Sequence, residues 1–255
     1  MARAHRGRSR IGKIVTWITL VLVAIFGIEI GLALSVSPRP DPVQLLNEAL
    51  TAAGRSAAFH YRAVWRAGAF SQMVVGDART SSGSESVSVG GSQFSVVLTG
   101  QVAYFKGDVV AVRDQLGLPA PTARQSAGEW IALSESDSPY SSVAEGLTTS
   151  AALLQVLIAP SATFQAHPHD GVLFSRITGR VPHGPVAAGS ARLDLVPDSK
   201  LPVLFTAHGS SGGQPWSSTI AFSRWGERTV INAPAGALPF SSLTSSASTT
   251  TMPSK

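Results

Sequence analysis

FHYRAVWR, residues 59–66, is the stretch of sequence that indicates the fold. Phe59, Tyr61 and Trp65 alternate with polar or charged neighbours, and a period of two is typical of a β-strand with one buried face. Similar stretches follow, separated by turns rich in serine and glycine, at 72–77, 85–89, 93–99, 102–106, 162–167, 172–181, 188–196, 202–208 and 217–225. About ten short strands with local connections predict a largely antiparallel sheet.

Two stretches have helical periodicity instead. Asp41 followed by Pro42 is typical of a helix start, and apolar residues at 43, 45, 46 and 50 share one face of a helix that we expect to end near Gly54. The second helix is predicted over 149–159, before Pro160, and is apolar on almost every side. Because such helices are usually enclosed, we expect the sheet to curl around it.

The N-terminus predicts a membrane segment. Residues 1–13 form a basic region with five Arg and Lys side chains, and residues 14–36 form an apolar run. A helix of that length spans about 30 Å, the thickness of a bilayer's hydrocarbon core. Positive charge stays on the cytoplasmic side, so we expect a single-pass plasma-membrane protein whose C-terminal domain is extracytoplasmic.

A cleaved signal peptide is the alternative for the same segment. Ala33-Leu34-Ser35 has the small residues of a cleavage site, and cleavage would give a secreted protein. The apolar run is longer than the core of a usual signal peptide, which favours an uncleaved anchor. The chain has no cysteine, which excludes a lipid-modified cysteine and any disulfide.

The remaining chain divides into three parts. Residues 37–42 are proline-rich and predict a short stalk. Residues 43–240 are long enough for one domain with a substantial core, and residues 241–255, mostly serine and threonine, predict a disordered tail. The five basic residues before Ile14 account for the net charge of +5, so the domain itself is nearly neutral and nucleic acid is not an expected partner.

Candidate chemical motifs are weak. Residues 209–213 match G-x-S-x-G, but a nucleophile elbow needs a helix after the turn, whereas Trp216 to Ile220 continue as a strand. Within the segment His167, His169 and Asp170, the two imidazoles share one face of a strand at a spacing that suits a metal, but the sequence fixes no third ligand nearby. His60, His183 and His208 are interpreted as isolated, exposed residues. We therefore expect no catalytic residues, no metal and no cofactor.

Several segments resemble a known family. Near the C-terminus, a strand begins at Leu201-Pro202-Val203, and residues 222–227 read FSRWGE before Val230 and Pro234. The segment 173–179 is similar to a strand of that family that reads V-x-x-I-T-G. The segment 108–157, with Trp130-Ile131 and Tyr140, is similar to the family's central helical part. In these features the chain resembles the mycobacterial LppX and LprG group of lipid-carrying lipoproteins. It differs in having a predicted transmembrane helix where those proteins carry an acylated cysteine.

The resemblance implies an α+β fold: a strongly curved antiparallel half β-barrel wrapped around a few helices, here preceded by one transmembrane helix. It also implies an apolar cavity that accepts acyl chains. The side chains that periodicity places on the buried face are the candidate lining: Phe59, Tyr61, Trp65, Phe94, Val96, Leu98, Leu153, Leu157, Leu193 and Leu195. The same residues are compatible with a solid core, since periodicity identifies a buried face but not a void.

Two functions remain open at this point. The preferred hypothesis is a membrane-anchored module that binds or transfers lipid or lipoglycan in the cell envelope, with membrane lipid as its partner. The alternative is a non-enzymatic structural or scaffolding protein with a filled core and envelope proteins as partners. An enzyme would additionally need convergent polar groups inside the sheet.

Overall fold

The computed structural model describes residues 40–154, 156, 158–166, 173–182 and 189–245. These residues contain six helices: α1 Pro42–Arg55, α2 Val109–Leu116, α3 Ala120–Ser126, α4 Tyr140–Ala144, α5 Thr149–Leu153 and α6 Phe240–Ser245. Side chains cap the first two, because Asp41 accepts from the Val43 N–H at 2.9 Å and Asp108 accepts from the Ala111 N–H at 2.8 Å. All described residues fall within one unit, Val36–Lys255.

Twelve strands form one curved, open sheet in the described part of the chain. The strands are β1 Ala58–Ala67, β2 Phe70–Arg79, β3 Ser82–Val89, β4 Ser92–Thr99, β5 Val102–Gly107, β6 Ile131–Ser134, β7 Ala159–Ala166, β8 Phe174–Arg180, β9 Gly189–Leu195, β10 Pro202–Ser211, β11 Gln214–Ser223 and β12 Leu238–Pro239. Their order is β12-β6-β5-β4-β3-β2-β1-β11-β10-β9-β8-β7. Every pair is antiparallel except β12 with β6, so the predicted α+β class and antiparallel sheet are confirmed.

One face of the sheet, here called the inward face, is packed by helices. Alternation along β1 assigns Phe59, Tyr61 and Trp65 to this face, and the pairing register extends the assignment to the other strands. Buried residues of α1 and α5 pack on the β1 and β8–β11 side, and those of α2, α3, α4 and α6 pack on the β4–β6 side. The helices therefore form two groups, each of which covers a different part of the inward face.

The second predicted helix is wrong in length. Helix α5 ends at Leu153, and Ala159 already belongs to β7. Val156 and Ile158 are buried and two residues apart, which is the period of an extended chain, and both are β-branched. Helix α1 is longer and buries one face, with Leu45, Leu46, Ala49 and Ala53, while its opposite face is exposed.

Two further expectations differ from the structure. Trp130-Ile131, assigned to a helical part by the resemblance, leads into β6, since Ile131 starts that strand. Helix α6 runs from Phe240 to Ser245, where the sequence predicted disorder from residue 241, because the buried ring of Phe240 fixes its first turn against the core.

Several expectations concern residues that the structure does not describe. The predicted basic region, the membrane segment 14–36 and the end of the tail lie outside the described residues, as do residues 37–39 of the stalk. Among the residues that are described, no helix is both long and apolar enough to cross a bilayer.

Candidate functional site

The inward face carries two apolar clusters. The first lies under α1 and α5, and the second lies under α2, α3, α4 and α6. The sheet residues of the first are Phe59, Tyr61, Ala78, Ile177, Ala191, Leu193, Leu195, Phe205, Ala207, Trp216, Ile220 and Phe222. The sheet residues of the second are Val96, Leu98, Ala103, Phe105, Ile131 and Leu133.

The predicted lining residues are distributed over both clusters. Five of them pack together in the first cluster: Phe59, Tyr61, Leu153, Leu193 and Leu195. Val96 and Leu98 belong to the second cluster, with Phe94 packed against it. Trp65 is half-buried outside both clusters, and Leu157 lies outside the described residues. The structure thus places eight of the ten predicted side chains in or against the two packed clusters.

A polar pair connects the two clusters, because Tyr61 belongs to the first and Glu85 pairs in register with Val96 of the second. The Tyr61 hydroxyl on β1 donates a hydrogen bond to Oε1 of Glu85 on β3. Gly76 of β2 is the register partner of both, and a Cβ atom there would lie 2.8 Å from the Tyr61 hydroxyl. Glycine is therefore required for the phenol ring to cross β2 and reach the carboxyl group.

Removal from water dominates the electrostatics of this pair. Desolvation raises the pKa of Glu85 from 4.5 to about 7, while the hydrogen bond from Tyr61 acts in the opposite direction. Desolvation, followed by the nearby Glu85 charge, raises the pKa of Tyr61 well above its usual value. The pair therefore places an uncharged phenol beside a carboxyl group that changes charge near neutral pH.

Side chains on the inward face become smaller toward one end of the strands. Leu193, Phe205 and Ile220 form one row across β9, β10 and β11. Two residues nearer the β10–β11 hairpin, the corresponding row is Ala191, Ala207 and Ser218. In the row nearer the hairpin, the inward side chains are therefore shorter and extend less far from the sheet.

Aromatic rings border this lower region. Trp65 and Phe70 are half-buried and meet edge to face, with ring centroids 5.1 Å apart. Trp216 pairs with Ala67 across β11 and β1, and Ala67 pairs in turn with Phe70. We call the inward residues Trp65, Ala67, Phe70, Ala207, Trp216 and Ser218 the hairpin-end surface. Four of them are half-buried, whereas Ala207 and Trp216 are buried members of the first cluster and form its floor.

Trp216 lies directly over two glycines. A Cβ atom at Gly209 would lie 2.9 Å from the indole Nε1, and one at Gly189 would lie 2.8 Å from the indole Cζ2. The ring can occupy this position only because both residues lack a side chain. The indole N–H is buried and has no hydrogen-bond partner among the described residues.

Polar side chains dominate the outer face of the sheet. Two depressions, of about 310 and 300 Å³, lie there, the first bordered by Arg62 and Arg66 and the second by His60 and Asp77. His60 Nδ1 lies 2.9 Å from Asp77 Oδ1, which also accepts from Arg224 at 2.9 Å. This pairing corrects the interpretation of His60 as isolated.

The other candidate motifs do not assemble a catalytic group in the described residues. Residues 209–213 form the end of β10 and the turn into β11, as the sequence predicted, rather than a strand followed by a helix. His208 Nε2 lies 2.9 Å from Ser190 Oγ, so this histidine is also paired. No group of three or more potential metal-ligating side chains occurs where the structure is described. His167, His169, Asp170 and His183 lie outside those residues.

Sequence reasoning missed the most informative polar groups, Glu85 and Trp216. A signal for Glu85 was present, because it has the parity of Val87 and Val89 on its strand and therefore had to face inward. The unpaired state of Trp216 depends on the packing of three strands and has no signal along the chain.

Comparison with known proteins gives similarities in fold. No protein-family model matches the chain, and no curated protein matches it. Among solved structures, the chain is similar to the lipoprotein LppX of Mycobacterium tuberculosis, at 15% identity over 75% of this chain and 98% of LppX, with a TM-score of 0.48. It is also similar to LprF from Mycobacterium bovis, at 16% identity over 79% of this chain and all of LprF, with a TM-score of 0.46. The resemblance to the LppX and LprG group predicted from the sequence is confirmed at this level.

Proposed function

We propose that the domain binds an acyl lipid or lipoglycan of the cell envelope on the inward face of its sheet, as a carrier or presenting module. The observation that supports this function is the hairpin-end surface, where small residues and half-buried aromatic rings replace the large side chains of the cluster cores. An acyl chain lying there loses contact with water, at about 25 cal/mol of stabilisation per Å² of buried apolar surface. Binding requires no covalent chemistry.

The packed clusters limit where an acyl chain can bind. Phe59, Leu193 and Leu195 are buried against helices, so a ligand cannot replace them without repacking the core. The half-buried side chains Trp65, Ala67 and Phe70 leave an apolar surface that a ligand can cover without such repacking. We therefore place the acyl chain along β1 and β11, starting at the hairpin end.

We further propose that residues 14–36 hold the domain at the outer face of the plasma membrane. The support is the sequence: a basic segment followed by an apolar run of membrane-spanning length. Alkaline carbonate extraction of membranes tests this, with the chain expected in the pellet. A C-terminal tag should be accessible to protease from the outside, and a tag protected from outside protease would contradict the orientation.

Lipid binding is tested by purifying the full chain from a lipid-containing host under non-denaturing conditions and identifying bound lipid by organic extraction and mass spectrometry. Close to one acyl lipid per chain is expected. Ser218→Phe, on the inward face, should reduce the bound lipid several-fold because its ring fills the hairpin-end surface. Thr219→Phe, on the outer face of the same strand, is the matched control and should retain the lipid.

Two results would contradict this function. A well-folded wild-type chain without lipid would favour the filled core, and protein partners would then become the subject of the search. Equal lipid content in the Ser218→Phe and Thr219→Phe variants would show that any bound lipid lies elsewhere.

A further inference from the structure

Trp216 has an unsatisfied polar group in an otherwise apolar place. Its side chain is only 7% exposed, and its indole N–H meets no acceptor among the described residues. Buried donors of this kind are rare in folded proteins, because an unmade hydrogen bond costs free energy. A phenylalanine ring would cover the same apolar neighbours without that cost.

The residues around Trp216 are small enough to accommodate its indole ring. Gly189 and Gly209 both leave out a side chain where the indole lies, and Ala67 is its pairing neighbour on the other side. Trp225 differs in this respect, since its Nε1 donates to the Pro202 carbonyl oxygen at 2.9 Å. Of these two indoles, Trp225 has an internal acceptor, and Trp216 has none among the described residues.

We propose, resting on the lipid-binding function above, that the Trp216 N–H is a specificity-determining contact that donates a hydrogen bond to the ester carbonyl oxygen of the bound acyl lipid. Indole is a donor only, so the ligand must supply an acceptor. The register neighbours Ala67, Gly209 and Gly189 carry no charge.

The absence of charge on these neighbours restricts the acceptor. A free carboxylate placed beside them would be buried without a compensating cation, which is costly. An ester carbonyl is an uncharged acceptor flanked by hydrocarbon, which matches an N–H surrounded by apolar side chains. An ether-linked alkyl chain has the same hydrocarbon but lacks the carbonyl, and it serves as the probe for this contact.

The experiment uses the full chain in nanodiscs of ether-linked phospholipid, so that the bilayer itself supplies no ester. Dioleoylglycerol and its dialkyl ether counterpart each compete with a pyrene-labelled diacylglycerol. For the wild type we expect the ester to bind about three- to tenfold more tightly than the ether, the range of one net hydrogen bond. Trp216→Phe should bring this ratio close to one, because it lowers the affinity for the ester lipid more than the affinity for the ether lipid.

Trp225→Phe is the matched control, since it removes an indole N–H that is already paired. It should keep the wild-type ratio of ester to ether affinity. A wild-type ratio near one, or a Trp216→Phe variant that keeps the ester preference, would overturn the role of Trp216 while leaving lipid binding in place. Failure of the wild type to bind either lipid would overturn lipid binding itself, and the role of Trp216 with it.

Discussion

Tyr61 and Glu85 are joined by a hydrogen bond that passes over the strand between them. The phenol of β1 reaches the carboxyl group of β3 because Gly76 of β2 has no side chain. The pair connects the two apolar clusters, because Tyr61 belongs to the first and Glu85 pairs in register with Val96 of the second. A titratable group in this position links the stability of the sheet to pH.

Stability should fall as pH rises through the range in which Glu85 ionises. Its pKa is raised from 4.5 to about 7, so the folded state binds the Glu85 proton more tightly than the unfolded chain does. The contribution is fully present below pH 4.5 and is lost as pH rises to about 7, with a total of about 3 kcal/mol. Urea unfolding of the full chain at pH 5 and pH 8 measures it. Glu85→Gln cannot ionise and should lose this part of the pH dependence; an unchanged slope in that variant would contradict the assignment.

Gly83→Ala should destabilise the domain by about 2 kcal/mol or more. A Cβ atom at Gly83 would overlap the Leu147 carbonyl, where the chain before α5 crosses β3 and Thr148 bridges to Arg79. Gly54→Ala is the control, because nothing lies within 4 Å of its added Cβ atom in helix α1. That variant should gain about 0.5 to 1 kcal/mol. Thermal unfolding of both distinguishes them, and equal midpoints would contradict the crossing.

Asp194→Asn should lower the free energy of unfolding by about 1 to 3 kcal/mol. The Asp194 carboxylate accepts two hydrogen bonds from Arg176, at 2.6 and 2.9 Å, and is almost completely buried. Asp114→Asn breaks a similar pair with Arg113, at 2.7 Å, but both side chains are half exposed to water. Its effect should stay below about 0.5 kcal/mol. Chemical unfolding at low and high salt checks both values, and equal losses would contradict the role of burial.

Trp225→Phe should destabilise the domain more than Trp216→Phe. Both changes remove the same atoms, but only Trp225 loses an internal hydrogen bond, which leaves the Pro202 carbonyl unpaired. The difference between the two unfolding free energies should be about 1 kcal/mol or more. Chemical denaturation of lipid-free protein measures it. A larger loss for Trp216→Phe would contradict this prediction.

The sheet could be predicted from the sequence, but its short or mixed elements could not. The period of two in residues 59–66 predicted β1. Turns rich in serine and glycine were expected between strands, and Gly90-Gly91, both with positive φ, form such a turn between β3 and β4. Strands β6 and β12 are too short to hold a pattern of their own. Ala152, Leu153 and Val156 have helical spacing in the sequence, although the helix ends at Leu153, so the end of α5 depended on the packing around it.

The candidate site was predictable only in part, because it depends on strand register. Periodicity identified Phe59, Tyr61 and Trp65 as one face, and they do share the inward face. The contact between Tyr61 and Glu85 joins strands that are not neighbours, and the row that contains Trp216 crosses five strands. Contacts between strands that are distant in sequence depend on the register of the folded sheet, so no local sequence pattern predicts them.

The central pairing of the sheet has a consequence for synthesis and export. Strands β1 to β5 are joined by successive hairpins, and β7 to β11 form a second such series, but β1 pairs with β11. If the domain is translocated beginning with the residues that follow the membrane segment, one edge of β1 stays unpaired until nearly the whole chain has emerged. Until β11 is available, the backbone N–H and C=O groups on that edge of β1 therefore have no strand partner. A chaperone that covers β1 would act during this stage of export.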